Sequence, residues 1–128
     1  MAISIVRLGT PRRADEGPRL GTVRRPPRGV KKADYARLNY YDAWLPILSP
    51  TADLVKQGLV AETDAEWRKY ERRFIAQLKQ TDKAYLLDAL AALSHVANFA
   101  IGCYCENEQR CHRSILRREL HKRGAAIR

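Results

Sequence analysis

The residues predict an α/β fold: one compact domain over residues 1–128, with a small, mostly parallel sheet flanked by helices. Three observations predict it. Short β-branched or apolar segments lie near both ends, at 3–8 and 98–105. Apolar residues recur every three to four positions between them and again after the second. At 128 residues with 45% apolar content, including two Trp, two Phe and six Tyr, the chain can fill one core.

In chain order, Ile3-Ser4-Ile5-Val6-Arg7-Leu8 reads as a buried strand closed by Gly9, Thr10 and Pro11. Residues 9–32 hold four Gly and four Pro among many Arg, which predicts a long basic loop with at most a short strand near 20–24. Tyr35, Tyr40, Tyr41, Trp44, Leu45, Ile47 and Leu48 form a packed aromatic segment, because Pro46 and Pro50 bar one continuous helix. Ser49-Pro50-Thr51 opens a short helix through Val55 that stops near Gly58. With Asp64 as N-cap, Trp67, Tyr70, Phe74 and Leu78 mark a helix over 65–80, and Leu86, Leu87, Leu90 and Leu93 mark another over 84–97. Residues 98–105 suit an inner strand, weakened by Gly102. After a polar loop, 106–110, a basic helix runs from Cys111 or His112 to about Lys122, where Gly124 ends it.

Composition narrows the function classes. No apolar run approaches the roughly 20 residues that span a bilayer, and residues 1–8 do not form a secretory signal, so a cytoplasmic protein without membrane association is expected. Three cysteines within nine positions argue for reduced thiols rather than a disulfide framework. The net charge of +10 sits at the ends: residues 1–32 carry +7, residues 110–128 carry +6 and the middle carries −3. That excess suits an anionic ligand, nucleic acid or an acidic partner. No cofactor is expected, and oligomeric state is not encoded legibly.

The sharpest motif is Cys103-x-Cys105-x5-Cys111-His112-Arg113, placed on a strand, loop and helix start. α/β proteins bind ligands beyond the carboxyl ends of their strands, where a helix N-terminus offers unpaired N–H groups. There a thiol beside a cation gains thiolate character, so Cys111 becomes a candidate nucleophile and His112 a candidate acid or base. Arg113 can clamp an oxyanion with two donors, Arg28 of the long loop can join it, and Glu106 is a further candidate acid. On this reading Cys111 reacts fastest, Cys105 is intermediate and Cys103 is shielded. The plain alternative is that the cysteines are small apolar core residues, and that His112 and Arg113 pair with Glu106 or Glu108.

A metal site is a third reading, because residues i and i+2 of a strand share a face. Cys103 and Cys105 can then converge with Cys111 and His112. Adjacent Cys111 and His112 would need unusual backbone geometry to hold one ion, so less than one zinc per chain is expected.

The same residues resemble the YeaO-like domain of unknown function 488 family. The likeness is strongest over residues 103–120: an apolar strand, a cysteine, an acidic loop and a Cys-His-Arg triplet opening the last helix. Pro27-Arg28-Gly29, Trp44-Leu45 with Ser49-Pro50, and the helix from Trp67 to Leu78 are weaker echoes. Pro26 stands where many relatives have Trp, and Cys105 where many have glutamate. The resemblance implies a compact α/β fold and locates a site without naming a substrate.

The functional readings are therefore an enzyme or small-ligand protein with a cysteine-centred, anion-binding site, a nucleic-acid-binding accessory protein, and a small metal-binding domain. The separation between Cys105 and Arg110 excludes the Cys-x5-Arg phosphate loop. The second reading would use Arg12, Arg13, Arg24, Arg25, Arg28, Lys31 and Lys32 with Arg117, Arg118, Lys122 and Arg123.

Overall fold

The structure is a computed structural model that describes all 128 residues. Four strands, β1 (Ile3–Arg7), β2 (Arg19–Gly21), β3 (Ala43–Trp44) and β4 (Phe99–Cys103), form one sheet in the order β1-β4-β2-β3. Every pairing is parallel. Four helices follow β3 or β4: α1 (Ala52–Val60), α2 (Asp64–Leu78), α3 (Thr81–Leu93) and α4 (His112–Lys122). The expected α/β fold is therefore present. β4 and β2 are the inner strands; in β4, Ile101 is in register with both Ile5 and Leu20, and all five residues are buried. A strand covered on both faces needs no alternation of polar side chains, which is why its sequence reads as a continuous apolar run.

Ile3, Ile5, Leu20, Phe99 and Ile101 pack with Leu54, Trp67, Phe74, Leu87, Ile115 and Leu116 in one core cluster, so helices cover one face of the sheet. The loop after β1 covers the other. Arg19 is only 1% exposed there and uses every guanidinium N–H. Its Nε and Nη2 donate to Glu16 at 2.6 and 3.2 Å, and its Nη atoms donate to the carbonyls of Thr10, Pro11 and Asn39 at 2.6 to 3.2 Å. A buried arginine with all five donors filled fixes a Gly- and Pro-rich loop that local propensity leaves undefined. Arg13 adds a bond to Ser4 Oγ.

Several boundaries differ from those the sequence predicts. Residues 43–44, within the aromatic segment, form the edge strand β3, held by main-chain bonds to β2 that side-chain patterns do not reveal. α1 runs through Gly58 to Val60 rather than stopping there. A Cβ at Gly58 would lie 2.9 Å from the Tyr70 ring, so this glycine permits close helix packing and is not a cap. Thr63, not Asp64, caps α2, its hydroxyl accepting from the Glu66 N–H at 3.1 Å. α3 begins at Thr81 and ends at Leu93, earlier at both ends than the spacing suggests. No helix is long and apolar enough to cross a membrane.

Gly102 marks a close backbone approach between β4 and β1. An added Cβ would meet Leu8 Cδ2 at 2.7 Å and the Val6 carbonyl oxygen at 2.8 Å. Because one contact is backbone, relief requires moving β1 against β4. Gly102→Ala is expected to destabilise the fold by about 1–3 kcal/mol, read as a lower urea midpoint; an unchanged midpoint would contradict this packing.

Candidate functional site

The site forms where β4 ends and α4 begins. Cys103 closes β4, its carbonyl accepting from the Leu8 N–H at 2.8 Å. The chain then passes through Tyr104, whose hydroxyl donates to the Arg25 carbonyl at 2.9 Å, and Cys105. A short 3-10 turn at Glu108–Arg110 reverses it, with the Asn107 side chain accepting from the Gln109 N–H. Cys111 stands in extended backbone just before α4. This short return brings Cys111 Sγ to 2.9 Å from Cys103 Sγ, and the Cys105 N–H donates to the Cys103 sulfur at 3.4 Å.

His112 locks the arrangement from the other side. Its Nε2 bonds to the Thr22 carbonyl just beyond β2, its ring meets Phe74 edge-on at 5.9 Å between centroids, and Nδ1 faces Cys111 Sγ at 3.9 Å. The Thr22 carbonyl requires the Nε2–H tautomer, since a carbonyl only accepts. Burial pushes His112 down to about 4, against the raising effect of that bond and of Cys105. The imidazole is neutral at pH 7.

The three thiols are electrostatically unequal. Cys103 and Cys111 are 4% and 2% exposed, whereas Cys105 is half-buried. The neighbouring thiols of Cys103 and then Cys111 favour negative charge on Cys105, outweighing its partial burial, and His112 and Arg113 act in the same direction. Its thiol is accordingly held well below the ordinary range. The neighbouring thiols of Cys105 and Cys111, with burial, drive Cys103 upward. Cys103 pulls Cys111 down, but the neighbouring Cys105 thiol and burial prevail and push it up to about 11. At the helix start Cys111 is 2% exposed, and its thiol is pushed up rather than down.

A cavity of about 360 Å³ opens over this cluster. Val23, Val55, Leu59 and Tyr104 contribute apolar wall, and Arg24, Arg25, Lys56 and Arg110 contribute cations. No Asp or Glu lines it. Arg24 is spent on the carbonyls of Pro46, Ser49 and Pro50, and Arg110 pairs with Asp64 at 2.6 Å while lying over Trp67. Arg25 and Lys56 are exposed and form no ion pair. Of the residues singled out from sequence, Cys103, Cys105, Cys111 and His112 line the cavity, but Arg28, Glu106 and Arg113 do not. Glu106 is exposed and pairs with Arg7 at 3.5 Å. Arg113 is 4% exposed and donates to the Cys105 carbonyl at 2.6 Å, holding the loop rather than facing the opening. Arg28 is exposed on the long loop. Lys56 was invisible to sequence reasoning, since a solvated lysine on a helix is unremarkable until the fold turns it toward a cavity.

Ligand atoms of Cys103, Cys111 and His112 lie within 4.8 Å of one another, a possible set for a soft metal. The spacing does not fit it as built. Two sulfurs each about 2.3 Å from a tetrahedral zinc stand about 3.8 Å apart, against 2.9 Å between Cys103 and Cys111.

The basic helix is largely neutralised. Arg117, Arg118, Lys122 and Arg123 face Glu108, Glu71, Glu119 and Asp88 at 2.7 to 3.1 Å. In the N-terminal loop Arg12 pairs with Asp42 at 2.7 Å, while Lys31 and Lys32 are exposed.

Burial of neutral His112 predicts acid sensitivity. The unfolded histidine takes up a proton near pH 6.5, which the folded one resists until about 4, so stability falls as pH drops across this window. The expected slope is about 1.4 kcal/mol per pH unit. The other two histidines are exposed. Urea midpoints that stay constant from about pH 6.5 to 5, above the range where carboxylates titrate, would contradict the buried neutral ring.

The family model described as "Active DUF488-N3 subclade" matches residues 3–124. No curated protein and no solved structure matches the chain. The matched span runs from the first strand to the glycine that ends α4 and includes every cysteine of the cluster. The chain belongs to the domain of unknown function 488 family.

Proposed function

We propose that the chain acts on a small anionic molecule through a reactive sulfur, Cys105, at the floor of the cavity beside the β4–α4 junction. The observation that carries this reading is the asymmetry of the cluster: Cys105 is the half-exposed sulfur at the cavity, whereas Cys103 and Cys111 are buried with their sulfurs 2.9 Å apart. A thiolate is the nucleophilic form of cysteine, and the surroundings of Cys105 hold its thiol below the ordinary range. Cys111, buried against Cys103, therefore passes from nucleophile to supporting neighbour. His112, neutral and bonded to Thr22, serves as a positioning residue, and Arg113 positions Cys105 through its carbonyl.

Charge around the cavity favours an anion. Arg25 and Lys56 stand at its wall without carboxylate partners, and no acid lines the space. A 360 Å³ cavity with apolar walls is within the range of small-molecule sites. Arg25 and Lys56 take the anion-binding part first given to Arg28 and Arg113. Nucleic-acid binding is the weaker reading, because phosphate contacts by α4 would compete with four existing ion pairs.

Alkylation tests both halves. Cys105 is expected to react with iodoacetamide at least about tenfold faster than Cys103 or Cys111. Its rate should be nearly flat from about pH 6 to 8, where an ordinary thiol gains about tenfold per unit. The negatively charged reagent iodoacetate should lose several-fold in rate in the Arg25→Ala/Lys56→Ala variant while iodoacetamide is unaffected. Preferential labelling of Cys111 would remove the assignment to Cys105, and equal slowing of both reagents would remove the anion-binding role.

A further inference from the structure

We infer that Cys103 and Cys111 are a modification site: they join in a reversible disulfide that latches the loop between β4 and α4. The inference stands on the geometry of the pair and is independent of which cysteine attacks a substrate. The two sulfurs lie 2.9 Å apart, both residues are buried, and theirs is the one thiol–thiol hydrogen bond of the chain. Buried cysteines that serve only as small apolar residues pack against carbon. Here sulfur meets sulfur, walled in by Leu8, Val23 and Tyr41. To form a disulfide the pair closes from 2.9 Å to about 2.05 Å and recruits no further group. A shared zinc would instead spread the sulfurs to about 3.8 Å, and only His112 stands by as a third ligand.

The backbone suits this closure. Cys103 is held in the sheet, in register with Arg7, and its carbonyl accepts from the Leu8 N–H. Cys111 lies outside the sheet, in extended backbone between the turn at Glu108–Arg110 and α4. The adjustment therefore falls on Cys111 and the turn while the strand stays in place. Burial does not bar the reaction, because both cysteines line the 360 Å³ cavity, through which a small oxidant reaches them.

The oxidant is a low-molecular-weight disulfide. One cysteine of the pair, as its thiolate, attacks a sulfur of that disulfide, a mixed S–S bond forms, and half of the reagent leaves and takes up the proton. The second cysteine then attacks the protein sulfur of the mixed disulfide, which forms the Cys103–Cys111 bond and expels the other half as a thiol. Two protein thiols are oxidised, one external disulfide is reduced to two thiols, and protons are conserved. A dithiol reductant reverses both steps. The loop so closed, 104–110, carries Tyr104, Cys105 and Arg110 of the cavity wall. In the reduced protein it is tied by the Tyr104 hydroxyl to the Arg25 carbonyl, by Arg113 to the Cys105 carbonyl and by Arg110 to Asp64. A covalent bond across its ends restricts it further, and Cys105 becomes the single free thiol of the cavity.

The test treats the full reduced chain and its Cys105→Ser variant with hydroxyethyl disulfide at mildly alkaline pH. Peptide mapping of the wild type should find Cys103 linked to Cys111, and dithiothreitol should release both. Cys105→Ser should form the same bridge, losing the mass of two hydrogen atoms and keeping no adduct of the reagent. Amide exchange across 104–110 should slow several-fold in bridged Cys105→Ser relative to its reduced form. A bridge to Cys105 as the main wild-type product, or two thiols still alkylatable after treated Cys105→Ser is unfolded, would overturn the pairing. A Cys103–Cys111 bridge that leaves exchange across 104–110 unchanged would overturn the latch. None of these outcomes depends on how fast Cys105 itself is alkylated.

Discussion

The contact between His112 and the Thr22 carbonyl is the constraint from which the site follows. It joins the first residue of α4 to the chain just past β2, and so fixes how α4 enters relative to the sheet. Two consequences come with it. The ring, wedged against Phe74, seals the base of the cluster, and Cys111, one residue earlier, has nowhere to go but against Cys103. A buried neutral imidazole with one filled donor is an economical way to do this, because desolvating a neutral ring is far less costly than desolvating a cation.

With Cys103 and Cys111 buried, the proposed negative charge of the cluster rests on the sulfur with most access to solvent. That is Cys105. Arg113 supports it at one remove: its Nη2 holds the Cys105 carbonyl while its charge favours the thiolate. The local logic inverts the usual expectation for a cysteine at a helix start. A helix N-terminus lowers a thiol only when the anion can also be solvated, and Cys111 is 2% exposed.

Much of the fold was legible because its determinants are local or periodic. The Trp67, Tyr70, Phe74, Leu78 stripe and the apolar run ending in Cys103 announce a helix and an inner strand, and both exist. β3 was not legible, since two residues joined by main-chain bonds leave no side-chain pattern. Gly58 misled for the opposite reason: a glycine that reads locally as a stop is required by Tyr70, a residue of another helix. The site divides the same way. The Cys-His-Arg triplet located the junction, but which sulfur faces solvent depends on the loop return, and the fate of Arg28, Glu106 and Arg113 depends on partners far away in sequence. Net charge was the least informative signal, because the cations of α4 are matched by acids from α2, α3, α4 itself and the turn at Glu108–Arg110.

The central claim is that one thiolate, on Cys105, exists in the folded protein near neutral pH and below. Ultraviolet thiolate absorbance, followed as pH falls from about 8 to 5 in the wild type and in Cys105→Ser, tests it most directly. The account predicts an absorbance of one thiolate that persists across this range in the wild type and is missing in Cys105→Ser. A signal that vanishes below about pH 8 as an ordinary thiol does, or that survives in Cys105→Ser, would contradict it.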